Sequence, residues 1–130
     1  MDNLEPKGRV LIIAGSDSGG GAGIQADIKA VTAMGGYAAT AVTAITVQNT
    51  LGVSAIHPVP LDIIKAQIEA VLSDIGADVI KTGMLGNREV VELVAACLDA
   101  CEPPFSILRA APKKRFGRCR AFASTPPVRT

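Results

Sequence analysis

Apolar and polar positions change their period several times along the first hundred residues, and each change marks an element. Residues 8–14 read G-R-V-L-I-I-A, an unbroken apolar run closed by Gly15. Such a run suits a strand buried on both faces of a parallel sheet. After a Gly-rich stretch, Ile24, Ile28, Val31 and Met34 recur at helical spacing until Gly35 and Gly36 stop them. Residues 38–47 interleave Thr40, Thr43 and Thr46 with Val42, Ile45 and Val47, a β-branched pattern that predicts a second strand ending near Gln48 and Asn49. A short extended piece at 53–59 follows. Pro60 and Asp62 then open a helix with an apolar stripe of Ile64, Ile68, Val71, Leu72 and Ile75, a polar face of Lys65, Gln67 and Asp74, and Gly76 at its end. Residues 77–83, A-D-V-I-K-T-G, predict another strand. Asn87 is placed to cap a helix carrying Val90, Val94, Cys97 and Cys101 along one side.

Strands alternating with helices of this length imply parallel pairing through right-handed crossovers, hence an α/β fold with helices over a parallel sheet. After Cys101 the periodicity stops. Residues 102–130 contain Pro103 and Pro104, then P-K-K-R-F-G-R-C-R, then S-T-P-P, and they show no apolar face of either period. The expectation is one ordered unit at 9–101, a disordered start at 1–8 and a largely disordered basic tail at 102–130. A chain of 130 residues accommodates one domain of this kind.

Composition sharpens that division. Hydrophobic residues make up 48% of the chain but aromatic ones only 3%, so the core has to be aliphatic. The net charge of +1 hides an asymmetry: residues 1–100 hold 6 Lys and Arg against 11 Asp and Glu, whereas 101–130 hold 7 against 1. The apolar run at 10–14 is far shorter than a secretory or membrane-spanning segment, so no membrane is expected and the cytoplasm is the default location. Cys97, Cys101 and Cys119 form neither an even disulfide set nor a C-x-x-C pair, and His57 lies far from them in sequence. Free thiols and no structural zinc are expected.

The strongest local feature is the stretch from Ala14 to Gly23, placed between a buried strand and a helix N-terminus. Its glycines let backbone N–H groups approach a ligand closely, and ligands of open α/β sheets bind at the carboxyl ends of strands. A Walker A loop is excluded, because counting from Gly15 leads to Gly20, Gly21 and Ala22 with no Lys or hydroxyl. Gly21, Gly23 and Ala26 satisfy a loose dinucleotide pattern, but the second strand ends V-Q-N with no acid to hold a ribose. Asp27 projects between Val31 and Met34 on the apolar side of its helix, where a carboxylate has to be satisfied by protein, water or ligand. Backbone amides could do this as well as a ligand. Asp17 fits a turn former through its own side chain. Gln48 at a strand end offers a donor and an acceptor together, although such a residue is often only a surface amide. Lys81 suits a snorkelling stem more than a phosphate contact, His57 a loop residue more than a base, and Met84 either core or the wall of an apolar pocket.

Three ordered motifs, A-G-S-D-S-G-G-G-A-G-I-Q-A-D at 14–27, T-A-I-T-V-Q-N-T at 43–50 and K-T-G-M-L at 81–85, resemble those of the hydroxymethylpyrimidine/phosphomethylpyrimidine kinases of thiamine biosynthesis. The resemblance runs from about Arg9 to about Ala100. It implies a ribokinase-like three-layer fold and transfer of phosphate from ATP, with Mg²⁺, to 4-amino-5-hydroxymethyl-2-methylpyrimidine and then to its monophosphate. Gly15, Ala22, Asp27, Gln48 and Met84 match the family's pyrimidine-pocket positions. An inward carboxylate and an amide can bond the amino group and ring nitrogens while a methionine packs on the ring.

The family pattern would continue after residue 100 with a V-V-D-P-type strand, nucleotide-binding segments and a late Gly-rich motif bearing the catalytic base. The tail has a different composition, as a reading-frame change or alternative 3′ end would produce. The substrate-binding half is therefore expected without catalytic residues, and the isolated chain without turnover. A pyridoxine/pyridoxal-type kinase is the sister reading. A reading from another class makes the chain non-catalytic, with Arg109, Lys113, Lys114, Arg115, Arg118 and Arg120 contacting nucleic acid or an acidic partner and Phe116 stacking, although a functionless solvated tail fits one aromatic residue better. Half of a doubly wound sheet also leaves an open strand edge and uncovered apolar faces, which invites association with another chain, a homodimer included.

Overall fold

The apolar run at 8–14 becomes the centre of a five-stranded sheet, as its two-sided burial requires. The computed structural model describes residues 5–101 and 106–109. In chain order the elements are β1 (Arg9–Asp17), α1 (Gly23–Ala33), β2 (Tyr37–Asn49), β3 (Gly52–Pro58), α2 (Leu61–Asp74), β4 (Val79–Thr82), α3 (Arg88–Asp99) and β5 (Ser106–Arg109). The sheet order is β3-β2-β1-β4-β5. β1 pairs in parallel with β2 and β4, and β4 in parallel with β5.

Two features refine the expectation of a parallel sheet and a largely disordered tail. The extended piece, β3, runs antiparallel to β2. Only Thr50 and Leu51 link the two strands, and so short a link cannot make a parallel crossover. The side-chain oxygen of Asn49 closes this turn by accepting from the N–H groups of Leu51 at 2.9 Å and Gly52 at 3.3 Å. The second feature is β5. It places S-I-L-R beside β4, within the segment expected to be disordered, because four residues are too few for a hydrophobic period to register. The remaining tail residues, 102–105 and 110–130, and with them Cys119 and the basic cluster beyond Arg109, lie outside the described residues, as do residues 1–4.

Alternation along the strands divides the helices between two faces. Leu11, Ile13, Ala41 and Ile80 pack with Ile64 and Ile68 of α2 and Val90, Val94 and Leu98 of α3 in one core. Ile12 and Ala14, equally buried, point to the opposite face, which α1 covers by packing on β1 and β2. The result is three layers. α1 buries none of its residues completely: Ile24, Ile28 and Val31 are half-buried and Met34 is exposed. Among the described residues α1 is the single helix packed on that face. Among the described residues no helix is long and apolar enough to cross a membrane.

Several side chains stand elsewhere than expected. Gln67 turns from the supposed polar face of α2 towards β2, accepting from Val42 N–H at 2.9 Å and donating to Val42 O at 3.1 Å. It satisfies the edge of β2 beyond the end of β3. His57 lies on exposed β3, not in a loop. Asn87 caps α3 as expected, accepting from Val90 N–H at 2.9 Å. Cys97 and Cys101 are free thiols.

The amino end of the sheet is held by a clamp that no periodicity announces. The carboxylate of Asp78 accepts from the backbone N–H, Nε and Nη2 of Arg9, while Nη1 donates to the carbonyl of Ile75 at 2.6 Å. The guanidinium thus ties β1 to β4 and covers the last turn of α2. These bonds hold the Asp78 carboxyl below its ordinary value of 3.8. A carboxylate lowered in the folded state stabilises above its unfolded pKa and loses that contribution as pH falls through the folded value. An Arg9→Gln variant should therefore have a lower urea midpoint than the parent at neutral pH, and the difference should shrink at an acid pH below the ordinary carboxyl value of 3.8. Urea titrations at the two pH values, followed by circular dichroism, would measure it.

Candidate functional site

β1 has to leave the sheet and enter α1 within a few residues, and Asp17 governs that turn. Its side chain is buried, with the residue 6% exposed, and accepts from the N–H groups of Gly19 at 2.7 Å, Gly21 at 3.0 Å and Ala22 at 2.8 Å. A further bond from Gly20 N–H to Asp17 O, with Gly20 at φ +76°, tightens the bend. The Gly-rich loop is an amide nest, but the anion that fills it is the chain's own carboxylate. The Gly19, Gly21 and Ala22 N–H groups are therefore taken.

Neighbouring side chains fix the loop to both flanking elements. Gln25 accepts from Asp17 N–H at 2.8 Å and donates to Ser16 Oγ at 2.7 Å. The Ser18 hydroxyl donates to Gln48 O at 2.5 Å and accepts from Gln48 N–H at 2.8 Å, pinning the loop to the end of β2. Gly23, at φ +58°, admits no side chain, because a Cβ there would lie 2.3 Å from Gly15 O. α1 therefore begins directly against the carbonyl of Gly15.

Asp27 turns towards the sheet as its helical position predicts, and its partner there is a side chain. Its Oδ2 meets Lys81 Nζ of β4 at 2.5 Å, with the two side chains 22% and 25% exposed. The Lys81 head group is thus ion-paired to Asp27. Met84 closes on Gly15 from the other side: a Cβ built on Gly15 would lie 3.1 Å from Met84 Cε. The Thr43 hydroxyl holds that segment by donating to Met84 O at 2.9 Å. Met84 itself is 48% exposed, as a pocket wall would be and a core residue would not. Gln48 is half-buried, and its Oε1 accepts from Thr46 Oγ1 at 3.2 Å.

All five expected site residues thus stand at the carboxyl end of β1, β2 and β4 or on the first turns of α1. Direct contacts join Gly15 to Met84 and Gly23, and Ala22 to Asp17. Gln48 also lines a cleft of about 310 Å³ with Val47, Asn49 and residues 51–54, and none of the other four borders it. Asp17, Ser18, Gln25, Thr43 and Lys81 act in the site without having been assigned to it. Asp17 and Lys81 carried a signal, a charge where the pattern is apolar or Gly-rich, while Ser18 and Thr43 act through backbone partners more than twenty residues away.

Asp17 is engaged by three amides and Asp27 by Lys81, and no group of three His, Cys, Asp or Glu side chains gathers among the described residues. An Asp17→Ala chain should lose about 1.5–3 kcal/mol of stability. Hydrogen exchange should speed up at Gly19, Gly21 and Ala22 beyond the change seen at Leu11 and Ile13, as amide NMR would report.

The phosphomethylpyrimidine kinase family model matches residues 17–109, so the match runs through β5 and past the point near Ala100 where the resemblance was expected to stop. The hydroxymethylpyrimidine/phosphomethylpyrimidine kinase of Mycobacterium tuberculosis is 61% identical over 88 residues, covering 68% of this chain and 32% of that protein. The one from Haemophilus influenzae is 54% identical over 108 residues, covering 83% and 38%. The chain spans about a third of the length of these relatives. Among solved structures, the phosphomethylpyrimidine kinase of Clostridium difficile is similar at a TM-score of 0.74 and 45% identity, covering 77% of this chain and 43% of that one. The Staphylococcus aureus pyridoxal kinase in complex with AMP-PCP and pyridoxal follows at 0.68 and 39%, covering 77% and 37%. With a ribokinase-like α/β fold and a family match over most of its length, the chain belongs to the phosphomethylpyrimidine kinase family.

Proposed function

We propose that this chain is the pyrimidine-binding part of a kinase that transfers phosphate from ATP to 4-amino-5-hydroxymethyl-2-methylpyrimidine and its monophosphate in thiamine biosynthesis. The observation that carries it is the inward carboxylate of Asp27, paired with Lys81 of β4, in a chain 61% identical over 88 residues to a kinase of that name. Asp27 and Gln48 would bond the amino group and ring nitrogens. Met84 would pack on the ring, and Gly15 and Ala22 would let it approach the backbone. Held in this way, the hydroxymethyl oxygen is presented to the γ-phosphorus.

ATP and Mg²⁺ enter this proposal as the family's phosphate donor and cation. The Gly-rich loop of this chain is no candidate for the triphosphate, since Asp17 already fills its nest. Binding of the pyrimidine, rather than turnover, is the property expected of the 130 residues by themselves. A cytoplasmic setting fits such chemistry. A homodimer would cover the exposed Ile45 and Val47, which share one face of the β2 and β3 ribbon.

Titration calorimetry of the purified chain with the aminopyrimidine tests the reading. Binding should be saturable, and Asp27→Asn should weaken it about tenfold or more, the loss of one hydrogen bond to a charged acceptor. Pyridoxal, the ligand of the similar Staphylococcus aureus enzyme, should bind less tightly. A preference for pyridoxal would move the assignment to the sister activity, and no binding of either heterocycle would refute it.

A further inference from the structure

We infer that Lys81 is a positioning residue for substrate selection: by holding one oxygen of Asp27 it sets the other as the acceptor for an exocyclic amino group. This rests on the pyrimidine reading of the site and adds to it a residue, and a reason for its selectivity.

Lys81 lies in the middle of the four-residue β4, between the buried Ile80 and Thr82. Its register partner is Ile12 of β1, which places it on the face that α1 covers. An ammonium group in that setting is costly unless it is paired. The stem carries the head towards the end of the strand, where Nζ lies 3.5 Å from the point a Cβ on Gly83 would occupy. Gly83 cannot carry that Cβ, which would stand 2.7 Å from the Cβ of Ala14. The glycine therefore leaves room for the ammonium beside Ala14, one residue from Gly15.

The two carboxylates of the site differ in one respect. Asp17 uses both oxygens, Oδ1 towards Gly19 and Oδ2 towards Gly21 and Ala22. Asp27 uses only Oδ2, towards Lys81, and its Oδ1 makes no hydrogen bond among the described residues. A carboxylate fixed through one oxygen presents the other in a defined direction, as an acceptor without a hydrogen to donate. A ring with an exocyclic NH₂ can meet it; the same ring without the amino group cannot. Losing such a partner leaves a charged acceptor unsatisfied, which is how a site rejects the analogue that lacks the donor.

A purely structural role for Lys81, tying α1 to β4, would weaken binding of any ring alike. The test is therefore a ratio. Titration calorimetry of the full 130-residue chain would compare the aminopyrimidine with its analogue lacking the 4-amino group, in the parent, Lys81→Met and Lys81→Arg chains. The expected result is a loss of about tenfold for the aminopyrimidine in Lys81→Met, little change for the analogue, and recovery of the preference in Lys81→Arg. A preference kept intact in Lys81→Met would overturn the inference. Should Lys81→Met unfold because it strands Asp27, the pair of chains Asp27→Asn and Asp27→Asn/Lys81→Met decides instead. Their affinities for both rings should agree, and a further loss caused by Lys81→Met in the Asn background would show that Lys81 acts other than through Asp27. A parent chain that binds both rings equally would sink the pyrimidine reading of Asp27 and this inference with it, an outcome distinct from a preference that survives without Lys81.

Discussion

The carboxylate of Asp17, held by three amides of its own loop, is the interaction on which the arrangement at the carboxyl end of the sheet depends. A buried strand that must turn at once into a helix exposes a run of N–H groups, and these need an acceptor. Here the acceptor is internal and charged, so the loop is shaped before any ligand arrives. The position of Gly23 against Gly15, the start of α1 and the direction of Asp27 over Lys81 follow from that shape. Ser18 transmits it to β2 through Gln48. The other end of the sheet has its own ionic fastening in Arg9 and Asp78, on the surface and independent of the loop.

Charge is divided at the site with little waste. Two carboxylates stand where the pattern is apolar or Gly-rich. One is consumed in building the loop; the other is half consumed by Lys81, with an oxygen left over. The division separates the part of the motif that makes the fold from the part that can recognise a ligand. It also explains why a glycine-rich loop beside a helix N-terminus is not, in this chain, a phosphate cradle.

The apolar runs and helical stripes made most of the elements legible, because burial on two faces and burial on one leave different periods. The inward turn of Asp27 was legible for the same reason, from its position between Val31 and Met34. Its partner was not, since Lys81 is 54 residues away and nothing local distinguishes an ion pair from a snorkelling stem. β5 escaped because four residues after two prolines carry too little pattern. The antiparallel course of β3 follows from the shortness of the link at Thr50 and Leu51, which is visible only once both strand ends are known. Gln67 was misplaced by pattern alone: a polar residue on a helix is assigned to water unless a strand edge needs it. The motifs at 14–27, 43–50 and 81–85 identified the family, and the family match reaches further along the chain than those motifs do.

The central claim is that Asp27, fixed by Lys81 beside an Asp17-closed loop, is where the heterocycle is recognised. The most direct measurement is an NMR structure of the chain with the aminopyrimidine bound, using intermolecular contacts from the ring. The account predicts contacts to Met84, Gln48 and the Gly15 backbone, with the amino group on the free oxygen of Asp27 and the Gly19, Gly21 and Ala22 amides still bound to Asp17. A ring seated away from Asp27, or a loop that releases Asp17 to hold the ligand with its amides, would contradict it.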